Sequence, residues 1–276
     1  MRLLLYMAKR LISNPYNVGW SILFMLFWVF MGAYIMSSNV PKIVTAEKFY
    51  TAAWAGVIEL LVLSSSSMTL TIVLNYQTGG LPHLLRYSKL TPTYYIASLY
   101  SSNLIMQIVY SLILIIAVYT TFSNHFGISL YPKNVLLILI TLVLSSLFFT
   151  SLSIFLNLII LRSTRKMQQL VDFIPLILGY GFGFTFIYLN MGSLVYFSPF
   201  AAIEALIISS YLGIQIPINF ATLSIDNYKV YAINSPQFSI PIALTSIIFW
   251  TIFLSLIGII GLRKLYYKPL EEGRIL

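Results

Sequence analysis

Six runs of about twenty or more mostly apolar residues dominate this sequence, and about 20 such residues suffice to cross a bilayer as a helix. They are Val18–Ser37, Ala52–Leu74, Tyr94–Phe122, Val135–Leu161, Leu170–Leu189 and Ile240–Leu262. Only 8% of the residues are charged and 59% are hydrophobic, with a mean hydropathy of +0.90. A soluble domain carries about 25% charged residues, so an ordinary globular protein is excluded. The expected fold class is an all-α membrane protein of six transmembrane helices, a single transmembrane domain over residues 1–276. No linker is long enough to divide it. No internal repeat is evident, which argues against an inverted-repeat transporter.

Charge then sets the orientation, because cytoplasmic loops retain Lys and Arg. With six spans drawn, twelve of the sixteen basic residues share one side, and only Lys42, Lys48, Lys133 and Lys229 lie on the other. Both termini are therefore expected in the cytoplasm. A seventh span over 195–213 would move Lys229 inside and the four basic tail residues outside. The ratio would fall from twelve to four to nine to seven, and the bias would vanish. Ser198-Pro199 and Glu204 also argue against a lipid-exposed crossing. Residues 195–235 are read instead as a re-entrant helical pair in the outer leaflet, before the last span. Irregular backbone at that depth needs cover by protein or a wet cavity. Residues 2–13 read as an amphipathic helix of about 18 Å, too short to cross and suited to the interface. Asn14-Pro15 ends it. A full-length span follows with no small-residue cleavage pattern, so the start does not read as a cleavable signal. The net charge of +9 sits at span ends, where it faces anionic lipid headgroups and gives no reason to expect nucleic acid.

Motifs of soluble enzymes are missing. There is no Cys, which removes disulfides, thiolate metal sites and redox motifs. His83 and His125 lie in different loops, and neither a Walker phosphate loop nor a Ser nucleophile elbow occurs. The acids Glu47, Glu59, Asp172, Glu204, Asp226, Glu271 and Glu272 form no pair within a span suited to acid–base work. No catalytic residue, no resident cofactor and no metal ligand set is assigned.

The most specific stretch lies in the basic loop 75–92, between the second and third spans. Gly79 and Gly80 permit a tight turn, and Pro82 suits the first turn of a helix. Leu81, Leu84 and Leu85 then share one face, with His83, Arg86 and Lys89 off that stripe, until Thr91-Pro92 ends the helix. Such a helix suits a groove on a partner protein, and it equally suits a linker lying on the membrane.

In this loop the chain resembles the type-2 membrane subunits (permeases) of ATP-binding-cassette (ABC) exporters. Gly79-Gly80-Leu81, Leu84-Leu85 and Leu90-Thr91-Pro92 match that family's turn, leucine-rich helix and closing Thr-Pro. The stretch Ser198-Pro199-Phe200, followed by Glu204-Ala205-Leu206, is similar to the family's Pro-aromatic and Glu-Ala-Leu segment. Asn75, Tyr76 and Gln77 stand where acidic residues are usual. The resemblance implies that 78–91 is the coupling helix, with Gly79, Gly80, Leu81, His83, Leu84, Leu85, Arg86 and Lys89 as its ATPase-coupling residues. It implies a separate ATPase subunit carrying ATP and Mg, and a second permease copy or homologue completing a dimeric path. The setting would be the plasma membrane of a bacterium or archaeon.

Candidates for the substrate path are Glu59, Ser66, Asn103, Gln107 and Glu204. All but Glu204 have two readings. Glu59 lies inside the second span, as a functional acid or a hydrogen-bonded one near the interface. Ser64–Ser67 line a path or pack helices, and Asn103 and Gln107 contact substrate or bond across helices. Gly179-x-x-x-Gly183 lacks the strand a nucleotide fingerprint requires and reads as close helix packing. An ion- or proton-driven carrier using Glu59 is the alternative function. Twenty Tyr and nineteen Phe favour an amphipathic cargo weakly, since aromatics also form interfacial belts.

Overall fold

In a computed structural model the described residues are 2–78, 91–160, 165–218, 220 and 236–266. Nine helical elements are described: α1 Arg2–Ile12, α2 Pro15–Asn39, α3 Val44–Thr78, α4 Pro92–Phe126, α5 Val135–Ile160, α6 Arg165–Tyr188, α7 Leu194–Phe197, α8 Pro199–Leu212 and α9 Ile240–Tyr266. Six of them, α2 to α6 and α9, are long and apolar enough to cross a membrane.

Local chemistry explains the boundaries. Asn14 caps α2 by accepting the Tyr16 N–H at 3.0 Å, with Pro15 in the first turn. Thr91 caps α4 in the same way for Tyr94, and Pro92 is its first residue. Ser198 and Pro199 start α8, and Gly213 closes it at φ +69°. Wide π-type turns over Gly19–Leu23 and Met31–Ile35 interrupt α2. Such a turn unseats a carbonyl from the α-helical ladder. The Tyr50 hydroxyl donates to the Gly32 carbonyl at 2.9 Å.

Several expected boundaries shift. α3 starts eight residues before Ala52, α4 extends beyond Phe122, and α6 starts before Leu170. Hydropathy marks where lipid begins, whereas a helix continues until a breaker stops its hydrogen bonds, and Val44–Thr51 contains none. Likewise Asn75, Tyr76, Gln77 and Thr78 extend α3, so the connection is shorter than 75–92.

α3 is the central element, buried along most of its length and packed by α2, α4, α5, α6 and α8. α8 is buried on every side from Pro199 to Tyr211, as expected of a helix apolar all round. Its 14 residues cover only about 21 Å, short of a bilayer core of about 30 Å. α1 buries Met7, Ala8 and Leu11 against α4 and leaves Lys9 and Arg10 exposed. α9 packs on α5 and is the most exposed of the long helices.

Candidate functional site

All eight expected coupling residues, Gly79, Gly80, Leu81, His83, Leu84, Leu85, Arg86 and Lys89, lie outside the described residues. The stem that carries them is described. α3 and α4 have 35 residues each, about 52 Å against a hydrocarbon core of about 30 Å. Cross-contacts show where the excess lies. Ser65 donates to Ser21, six residues into α2, and α3 continues for thirteen more residues, ending about 10 Å past the start of α2. Asn17 meets Met106, fourteen residues into α4, so α4 begins about 18 Å beyond that same level. The two rods are tied near their ends, where the Tyr95 hydroxyl donates to Gln77 Oε1 at 2.8 Å. α1 braces α4 through the Tyr110 hydroxyl, which donates to the Ile12 carbonyl at 2.8 Å.

Below the stem runs a buried polar seam. Ser64, Ser65, Ser66 and Ser67 have no exposed surface. Ser66 Oγ accepts from Gln107 Nε2 at 2.9 Å, so two expected path residues bond each other. Asn103 Nδ2 donates to Thr150 Oγ1 at 2.7 Å. Ser67 and Ser153 hydroxyls lie 2.7 Å apart, and each also reaches a backbone carbonyl across the α3–α5 contact. Ser65, Ser21 and Asn17 form a chain that ends on the Leu11 carbonyl. Gly179 closes the α3–α6 contact, because a Cβ there would collide with the Ser64 hydroxyl. The arrangement is that of interhelical bonding and close packing by small residues.

Two of the three buried glutamates, Glu59 and Glu204, point elsewhere. Glu59 is 1% exposed, and neither carboxyl oxygen has a hydrogen-bond partner. The Ser111 hydroxyl of α4 stands beside it without closing a well-formed bond. Glu204 of α8 is fully buried, its stem packed on Gly56 of α3, and both its oxygens are also unpartnered. Asp172 of α6 keeps one unpartnered oxygen. A charge so placed is costly, which makes these three positions functional candidates.

None of the five expected path residues lines a described cavity. A cavity of about 210 Å³ lies between α2, α3 and α6, walled by Phe49, Tyr50, Trp54, Phe184 and Tyr188, with Phe220 beside them. Tyr50, Trp54 and Val57 fall on one face of α3 at helical spacing, a pattern present in the sequence. Which helix they would face was not. Its aromatic walls suit an apolar or amphipathic molecule. Among the described residues no group of His, Cys, Asp and Glu is placed to hold a metal. Compared with known proteins, the chain matches no family model, no curated protein and no solved structure.

Proposed function

We propose that this chain is the transmembrane subunit of an ATP-driven ABC exporter. The observation that carries the reading is the tied α3–α4 stem. It outlasts the bilayer and bears the leucine-striped, basic segment 79–90 at its tip. In this reading the stem and both termini are cytoplasmic, and a separate ATPase subunit binds ATP and Mg. Its closure pushes on residues 79–90, and two permease copies or homologues alternate access along a shared path. The membrane is the plasma membrane of a bacterium or archaeon. In the same reading 195–235 form a pair that dips into the outer leaflet and returns; 219 and 221–235 lie outside the described residues, and the support is the shortness of α8. The α2–α3–α6 cavity supports an amphipathic cargo.

A second reading, a proton-driven carrier, draws on the unpartnered Glu59 carboxyl. Two experiments separate them. Reversing Arg86 and Lys89 to Glu, with Leu81 and Leu84 changed to Ser, should abolish ATPase co-purification and membrane-stimulated ATP hydrolysis. Unchanged association would refute the exporter reading. Transport by the purified chain alone in liposomes under a pH gradient, lost on Glu59→Gln, would establish the carrier.

A further inference from the structure

Three of the four lysines that charge counting sets apart lie among the described residues, and two of them converge. Lys48 stands near the start of α3, and Lys133 two residues before α5. They come from separate elements and line one pocket of about 50 Å³, together with Ser129 and Tyr131. Its floor is Tyr211, whose hydroxyl is already given to the Leu130 carbonyl at 2.6 Å. No carboxylate lines the pocket. The nearest acid in sequence, Glu47, is 8% exposed and outside its walls.

Lys133 is held in place. Its backbone N–H donates to the Tyr211 carbonyl, and the Asn134 N–H to the Ser210 carbonyl, each at 3.0 Å. These bonds dock the connection between α4 and α5 onto the end of α8. Gly213, at φ +69°, leaves room for the Lys133 stem, since a Cβ there would lie 2.5 Å from Lys133 Cβ. The ammonium rests over the Tyr131 ring, 4.9 Å from its centroid. Two cations without an ionic partner among the described residues therefore border a space that holds a phosphate group but no acyl chain. The pocket sits where α3, α4 and α5 begin or end, and the ends of helices long enough to cross a bilayer reach its headgroup layer. Exposed Ile214 stands one residue past Gly213, offering an apolar flank for the chains below.

We propose that Lys48 and Lys133 bind the phosphodiester headgroup of an anionic phospholipid, at the end of the bundle opposite residues 79–90. The inference does not depend on the exporter reading. The test uses the full chain purified in detergent and titrated with dioleoyl phosphatidylglycerol, dioleoyl phosphatidylcholine or inorganic phosphate, with bound ligand counted by native mass spectrometry. At about fivefold per lysine, the double variant Lys48→Gln/Lys133→Gln should bind phosphatidylglycerol about twenty-five-fold more weakly. Each single variant should lose about fivefold, which preserves the test if the double variant folds poorly. Lys42→Gln, at the same end but outside the pocket, should bind as the unmodified chain does, and phosphatidylcholine retention should not change. Equal phosphatidylglycerol binding by the double variant overturns the proposal. So does an equal loss in Lys42→Gln, which would mean diffuse attraction. Inorganic phosphate binding as tightly as the lipid would reassign the pocket to a free anion.

Discussion

α3 and α9 are both long and apolar enough to span a bilayer, yet they meet their surroundings with opposite surfaces. α3 carries Glu59, Ser64–Ser67, Thr69 and Thr71 and is buried along most of its length. α9 is poorer in polar groups and turns Phe249, Ile252, Phe253 and Leu256 outward. In water the more apolar helix would occupy the centre. Hydrocarbon removes that preference, because lipid tails are as apolar as leucine. Helices are then drawn together by small residues that allow close approach and by polar groups with no other partner. The centre of this molecule is accordingly its polar part.

The contrast breaks most severely at the α3–α6 contact. Gly179→Leu places a side chain where the Ser64 hydroxyl already sits, and overpacking of this kind should cost about 3 kcal/mol. The measurement is detergent unfolding followed by circular dichroism, and unchanged stability would deny that the contact is as close as described. A smaller effect is expected at the α3–α5 seam. A double-mutant cycle of Ser67→Ala and Ser153→Ala should give a coupling of about 1 kcal/mol, within the range measured for interhelical bonds in bilayers. A coupling near zero would assign cohesion there to packing alone. The smallest effect belongs to α9, where Phe253→Leu on the outward face should change stability by less than about 0.5 kcal/mol. A larger loss would mean that protein, and not lipid, covers that face.

Much of the fold was legible because a few residues act locally. Thr91-Pro92 and Ser198-Pro199 start α4 and α8, since a capping hydroxyl followed by proline needs no tertiary context. The six apolar runs gave the six long helices for the same reason. The start of α3 was not legible, because Glu47 and Lys48 lower hydropathy without interrupting hydrogen bonds. In the site, the polarity of Ser66 and Gln107 was readable but their mutual bond was not, since it depends on how α3 and α4 are rotated. The α2–α3–α6 cavity escaped for that reason too. Tyr50 and Trp54 announce a face, while Phe184 and Tyr188 arrive from more than a hundred residues away.

The wide turns of α2 have a mechanical consequence. Each holds an extra residue, so the segments before and after it present themselves in different phase, and α2 behaves as three short rods joined by swivels. One swivel lies beside the Ser21–Ser65 bond and the other beside Trp54 in the cavity wall. A twist of the Met36–Asn39 end about the second turn would therefore reshape the aromatic chamber, at a distance from the Ser21–Ser65 bond beside the first. The Tyr50 hydroxyl ties α3 to the second turn through the Gly32 carbonyl, so such a twist works against that bond.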